Sequence, residues 1–365
     1  MLVIDGSQGE GGGQVLRTAL TLAVLTGRAV RIESIRAGRP KPGLMAQHLK
    51  AVEAAAAVSG ARVTGASPRS TVLQFIPRSL RPGDYRFDIG TAGSTSLVLQ
   101  TIALPLGLAS APSRVVVTGG THVPWSPCFH YLATQWQGAL AEMGFRVDLE
   151  LESAGFYPHG GGVMRAAIHP VARLTPLVRL DRGDLKRFTG FSAAANLDPA
   201  IASRQQAQAL KRLAHWAVPA DVAIRSLPAR SPGTLLFLSA ECTRASCAAY
   251  ALGARGKPAE KVADEAVDGL EVFLASGAAV DPFLADQLML PLVFAAGVSS
   301  FRTSRITRHL LTIIDVIRSF VKADIVLEGR IDEPGTVRVA GAAALPEAAE
   351  ESASGKGLCL RDHES

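Results

Sequence analysis

A chain of 365 residues with 48% hydrophobic and 19% charged residues can bury a large core in two or three domains, which excludes a disordered protein. Its apolar runs are broken at short intervals by Gly, Pro or charge, so none reaches the roughly 20 uninterrupted apolar residues of a membrane span. The formal charge of +6 suits a polyanionic partner without requiring one.

The opening Met1-Leu2-Val3-Ile4-Asp5 enters a strand-like run without a signal-peptide pattern, so a cytoplasmic location and no membrane partner are expected. Cys128, Cys242, Cys247 and Cys359 are irregularly spaced and lack the second ligand pair of a zinc site, which points to reduced thiols. After the first strand, Gly6-Ser7-Gln8-Gly9-Glu10-Gly11-Gly12-Gly13-Gln14 leads into a helix from about Val15 to Thr26. A strand, a glycine loop and a helix start can cradle phosphate through backbone N–H groups, although a plain tight turn is an equal reading of the glycines alone. Glu10 in the loop and Arg17 one turn into the helix favour phosphate, as a cation-holding acid and an anion-holding base.

A strand over 28–35 precedes Arg36-Ala37-Gly38-Arg39-Pro40-Lys41-Pro42-Gly43-Leu44, whose prolines stiffen a loop bearing three cations. Gln47 and His48 open the next helix, predicted over 45–59. Far along the chain, Arg308-His309-Leu310-Leu311-Thr312 opens an apolar helical run through Ile313, Ile314, Val316 and Ile317. A histidine at a helix start lies beside unpaired N–H groups and the positive end of the dipole, which favour bound phosphate and disfavour imidazolium. A lone histidine is nonetheless more often a cap or a half-buried polar group.

The chain repeats itself. Residues 93–101 parallel residues 10–18 at an offset of 83, with Gln100 in the place of Arg17. A third copy follows at 286–297, with Gln287 in that place, and His309 corresponds to His48. The interval from Gln100 to Gln287 is 187 residues, so about a hundred residues interrupt the third copy. These features predict an α/β protein with one large domain, 1–179 and 277–340, made of repeats at about 1–86, 87–179 and 277–340. An inserted domain is expected at 180–276 and a disordered tail at 341–365.

With these motifs, and with Phe156-Tyr157-Pro158-His159-Gly160-Gly161-Gly162 and Leu284-Ala285-Asp286-Gln287-Leu288, the chain resembles the RNA 3′-terminal phosphate cyclase family. The motifs run in the family's order from the N-terminus to about residue 338. The resemblance implies three two-helix, four-strand units similar to the C-terminal domain of translation initiation factor three, and an inserted α/β domain of thioredoxin-like arrangement. It also implies a ligase-type enzyme that uses ATP to convert an RNA 3′-phosphate to a 2′,3′-cyclic phosphate, releasing AMP and pyrophosphate. His309 would be the nucleophile that carries AMP covalently, and Glu10 the ligand of a divalent cation, Mg²⁺ or Mn²⁺. Arg17, Arg36, Arg39, Gln47 and His48 would line the phosphate pocket, and Gln100, Pro127, Phe283, Leu284, Ala285, Asp286 and Gln287 the ATP pocket. The partners implied are ATP and RNA with a 3′-phosphate end, with homodimerisation left open.

Three positions depart from the family pattern. Phe283 stands where a tyrosine is usual, keeping the stacking face and losing the hydroxyl, while Ile313 and Val123 replace asparagines. Two other readings compete: a non-catalytic homologue in ribosomal RNA processing, which would lack His309, and a small-molecule enzyme of the enolpyruvyl transferase kind. The second has repeated units and anionic substrates but no covalent nucleotide.

Overall fold

The computed structural model describes residues 1–341; most of the expected tail, Ala342 to Ser365, lies outside the described residues. The first sheet contains β1 (Leu2–Asp5), β2 (Val30–Glu33), β3 (Arg62–Thr64) and β4 (Leu73–Ile76), with α1 (Gly13–Thr26) and α2 (Ala46–Ser59) between its strands. Val30, Ile32, Leu73 and Phe75 alternate inward along β2 and β4, the period-two pattern of a sheet with one buried face. Gly27 and Gly60 end the two helices in the left-handed conformation, which costs a glycine nothing sterically.

The second sheet contains β5 (Asp84–Asp88), β6 (Ser113–Gly119), β7 (Val147–Ser153) and β8 (Gly162–Ile168). Its helices are α3 (Thr95–Gly107) and a continuous helical stretch of α4 (Phe129–Tyr131), a π-helical segment Leu132–Trp136 and α5 (Gln137–Glu142). The third sheet begins with β9 (Val178–Arg179) and is then interrupted by a separate four-stranded sheet. That sheet comprises β10 (Leu185–Ala195), β11 (Ala220–Ser226), β12 (Gly233–Cys242) and β13 (Ser246–Leu252), backed by α6 (Ala200–Leu213) and α7 (Ala259–Ser276). The chain returns through α8 (Pro282–Val293), β14 (Val298–Thr303), α9 (Arg308–Phe320), β15 (Asp324–Glu328) and β16 (Gly335–Ala340).

Three sheets share one strand order: β1-β2-β4-β3, β5-β6-β8-β7 and β9-β14-β16-β15. In each, the first two strands are parallel and the other pairings antiparallel. Two unit boundaries differ from the sequence expectation. Strand β5 starts at Asp84, inside the stretch expected to close the first unit, because Asp84–Asp88 pairs with Arg114–Thr118 of β6. Val178 and Arg179, expected in the second unit, pair in parallel with Ser300 and Phe301 of β14. The short β9, only two residues long, carries too little periodicity to be assigned from sequence.

The sheet β10–β13 is buried on both faces. Phe191, Ala193, Leu235 and Phe237 join the main core, while Phe188, Leu236, Leu238 and Ala240 pack under α6 and α7. Its strands therefore attach it to the rest of the protein with one face. Around the site, α1 packs against α2, α3 and α9 and is buried on nearly every side from Val15 to Val24. The amphipathic α9 buries Leu310, Ile313, Ile314, Val316, Ile317 and Phe320, each contributing about 1.5–3 kcal/mol by its removal from water. Among the described residues, no helix is long and apolar enough to cross a membrane.

Candidate active site

Packing α1 against α2 and α9 brings three helix N-termini to one cavity of about 840 Å³, and the start of α8 forms a further wall. Each start contributes what its sequence allows. Helix α1 is capped by Gly12 with no side-chain hydrogen bond, so its first N–H groups face the cavity uncapped, an arrangement suited to anions. Side chains are excluded there for a steric reason: a Cβ on Gly13 would collide with the His48 ring and approach an Arg17 nitrogen. Gly9 has φ 59°, and a Cβ on it would collide with Thr312 Oγ1 of α9, so the glycine loop lies directly against the third helix start.

Helix α9 begins with Thr307, whose hydroxyl accepts from Leu310 N at 3.0 Å and donates to Asp286 Oδ1 at 3.3 Å. That cap fixes the first turn and with it His309. His309 Nε2 lies 2.7 Å from Glu10 Oε2, which closes the glycine loop onto the histidine. Burial lowers the His309 pKa below its ordinary value; Glu10 opposes that shift, and Arg17 and Arg39 reinforce it. The ring is thus biased toward the neutral form that a nucleophile requires.

Arg17 donates to Gln14 Oε1 at 2.8 Å, and none of the ion pairs among the described residues involves it. Burial lowers its pKa to about 10, which leaves it charged at neutral pH. A desolvated guanidinium without a carboxylate is costly unless an anion joins it, and its fork geometry matches phosphate. Arg39 lies 3.6 Å from Glu10 Oε2. Arg36, at φ 55°, donates to the carbonyls of Lys41 and Gly43, and these bonds hold the basic loop in place. Lys41 contributes a carbonyl to that brace, while Arg36 and Arg39 line the cavity.

His48 Nδ1 accepts from Met45 N at 3.2 Å, which assigns the ring proton to Nε2, beside Gly13 and Arg17. Burial, then Arg17 and Arg36, push its pKa down to about 3, so it is a neutral hydrogen-bond donor. Gln47 accepts from Ser94 N at 3.0 Å, tying the start of α2 to the start of α3.

Gln100, Pro127, Phe283, Asp286 and Gln287 line the other side of the cavity. Asp281 caps α8 by accepting from Phe283 N and Leu284 N, and Tyr131 donates to it at 2.7 Å. Phe283 is 59% exposed, and its ring meets Tyr131 edge to face. Gln287 Oε1 is buried with no partner, an acceptor awaiting a donor. Burial raises the Asp286 carboxyl well above its ordinary pKa.

Leu284 and Ala285 are expected in the ATP pocket, but both are fully buried and absent from its wall. The helical period explains this: positions 283, 286, 287 and 290 share the cavity face, whereas 284, 285 and 288 point into the core. Val123 and Ile313 are also buried in the interior and off the wall, so these two departures from the family pattern do not alter the cavity surface. Trp125, Tyr250, Arg305, Thr307, Arg308 and Asp332, which the sequence motifs do not mark as site residues, also line the cavity. Thr307 was detectable as a Thr immediately before an apolar helix; Tyr250, brought by the inserted sheet, had no local signal.

Among the described residues no group of three His, Cys, Asp or Glu side chains could hold a metal alone. Glu10 could still do so with help, since Mg²⁺ is commonly held by one or two carboxylates together with substrate phosphates and water. The whole arrangement offers a neutral imidazole, a carboxylate beside it and several cations around a nucleotide-sized space.

A family model described as RNA 3′-terminal phosphate cyclase matches residues 8–327. Curated relatives named RNA 3′-terminal phosphate cyclase include one from Ralstonia nicotianae, 47% identical over 331 residues, covering 90% of this chain and 94% of the relative. Another, from Thermococcus onnurineus, is 44% identical and covers 93% and 99%; one from Methylococcus capsulatus is 46% identical and covers 93% and 97%. Among solved structures, an enolpyruvyl transferase from Streptomyces tendae matches 93% of this chain and 48% of its own, at 9% identity and a TM-score of 0.39, too slight a likeness to bear on function.

Proposed function

The chain belongs to the RNA 3′-terminal phosphate cyclase family, and on that premise we propose how its residues carry out the ATP-dependent conversion of an RNA 3′-phosphate to a 2′,3′-cyclic phosphate. The observation that carries the reading is His309 Nε2 at 2.7 Å from Glu10, at a helix start, in a cavity that also holds the unpaired Arg17.

His309 Nε2 attacks the α-phosphorus of ATP, forming a P–N bond as the bond to pyrophosphate breaks. Attack uses the Nε2 lone pair, so the neutral ring must carry its one proton on Nδ1, and the Nε2–H that faces Glu10 at 2.7 Å has to be transferred there first. An oxygen of the RNA 3′-phosphate then attacks the same phosphorus, which breaks the P–N bond and restores the imidazole. Finally the adjacent 2′-oxygen attacks the 3′-phosphorus, loses its proton and expels AMP. Each displacement has a phosphate leaving group, which is what the covalent detour provides.

Arg17, Arg36 and Arg39, with the Nε2–H of His48 and the N–H groups at the start of α1, hold the phosphates and stabilise charge that builds on them. Phe283 and Pro127 offer the adenine flat apolar surfaces, and Gln100, Asp286 and Gln287 offer polar contacts. Glu10 with ATP oxygens fits a divalent cation, Mg²⁺ or Mn²⁺; when bound, the ion would offset triphosphate charge and ease departure of pyrophosphate.

We place the large catalytic part at residues 1–179 and 277–340 and the inserted part at 180–276, acting in the cytoplasm where ATP and RNA ends meet. The presence of His309 beside Glu10 favours this reading over a non-catalytic homologue. The test is a 3′-phosphorylated RNA incubated with the protein, ATP and Mg²⁺ or Mn²⁺. The end is expected to become resistant to phosphatase and to regain sensitivity after mild acid opens the ring; a phosphate that stays fully sensitive to phosphatase contradicts the reading.

A further inference from the structure

Trp125 is 100% exposed at the rim of the cavity, with φ 66°. A single exposed apolar side chain is ordinary, but a non-glycine residue held in the left-handed region is not. The loop that carries it is held at both ends. Val123 and Cys128 are buried, and Ser126 Oγ donates to Val123 O at 3.4 Å. From the inserted sheet, the Tyr250 hydroxyl donates to Ser126 O at 2.7 Å and accepts from Cys128 N at 3.2 Å. These bonds fix the backbone from which the indole projects. Arg305 and Arg308 are exposed and also line the cavity, and neither enters an ion pair among the described residues.

We propose that the Trp125 indole is a stacking platform for a nucleobase at or next to the 3′ end of the RNA. This rests on the function proposed above. ATP is confined within the cavity, because its α-phosphorus must reach His309. The RNA is a polymer whose 3′-phosphate must reach the same point, so its chain has to leave across the rim. An exposed aromatic face with unpaired cations on the same rim is the combination that holds single strands irrespective of sequence, since every base has a π-face and every linkage a phosphate. The hydroxyl of Tyr250 makes the inserted sheet the support of this platform.

The experiment separates two steps: labelling of the protein by α-labelled ATP alone, and cyclisation of a 3′-phosphorylated pentaribonucleotide. Trp125→Ala is expected to raise KM for the oligonucleotide about tenfold, within the range base stacking supplies, with the ATP-only labelling rate at the wild-type level; Trp125→Phe should lie close to wild type. An abasic residue at the terminal or the penultimate position should bring wild type to the level of Trp125→Ala and leave that variant no worse. An unchanged KM, a penalty that persists with the abasic residue at both positions, or slowed ATP-only labelling would overturn the proposal, the last by assigning the ring to ATP. Wild-type protein that takes no label refutes the underlying function instead, so the two failures are distinct.

Discussion

His309 illustrates how little a residue type says without its surroundings. Read alone it is more plausibly a cap than a nucleophile, and its claim to chemistry comes from Glu10 at 2.7 Å and from the burial and cations that lower its pKa. Labelling by ATP should therefore fall as pH drops through a His309 pKa below the ordinary value of about 6.5. Glu10→Gln removes the one influence that raises that pKa, so the acid limb should move to still lower pH while the maximal rate falls; a limb moving upward would contradict the assignment. Arg17→Met should weaken ATP and RNA-phosphate binding by about tenfold or more, through loss of a charge-assisted bond worth roughly 1.5–3 kcal/mol. Titration of both substrates checks this, and unchanged KM values for both would exclude Arg17 from the phosphate pocket. The glycine loop, the basic loop and the histidines were legible because their chemistry is local. Leu284 and Ala285 face the core, a division of α8 into faces that a contiguous motif does not display, and nothing in the neighbours of Trp125 marks it as displayed.

Elements act here mainly through their starts. The glycines are needed because the loop abuts Thr312 at Gly9 and the start of α1 abuts His48 at Gly13, a close approach that repeated glycines announce without saying what approaches. Gly13→Ala should cost about 1–3 kcal/mol of stability through overpacking and should slow labelling more than Ala substitution at an exposed site does. Thermal unfolding and labelling measured together check this, and wild-type values in both would contradict the crowding. Thr307→Ala removes the cap of α9 and the hydrogen bond to Asp286. It should cost about 1 kcal/mol and slow labelling by loosening the turn that carries His309, with thermal unfolding as the check on the first and labelling kinetics on the second. The cap was legible as a Thr before an apolar run, whereas its bond to Asp286, 21 residues away, was not.

At the scale of the whole molecule, three sheets with the same strand order set the helix starts around one cavity. The repeated Arg17, Gln100 and Gln287 positions announced much of this; the two-residue β9, paired across the insertion with β14, left no pattern to read. The insertion announced itself as extra length with a strand near 235–240 and a helix near 260–275, whereas its contact with the site through Tyr250 depends on packing between segments more than a hundred residues apart. Burial also builds in a pH dependence. His48 and His130 have pKa values pushed down to about 3 and about 4, and His122 is well below normal, so all three are neutral in the folded protein. Unfolding frees them to bind protons, so stability is intact above about pH 6.5 and is lost as pH falls below it, by roughly 1.4 kcal/mol per pH unit for each histidine. Unfolding midpoints measured from pH 8 to pH 5 should drop below pH 6.5, and a midpoint that rises on acidification would contradict this. The convergence of separate helix starts on His309 is the central claim, and α-labelled ATP with Mg²⁺ or Mn²⁺ tests it most directly. The intact protein should acquire an acid-labile, alkali-stable adenylate that maps to His309 and is absent from His309→Ala; label retained by that variant would contradict the account.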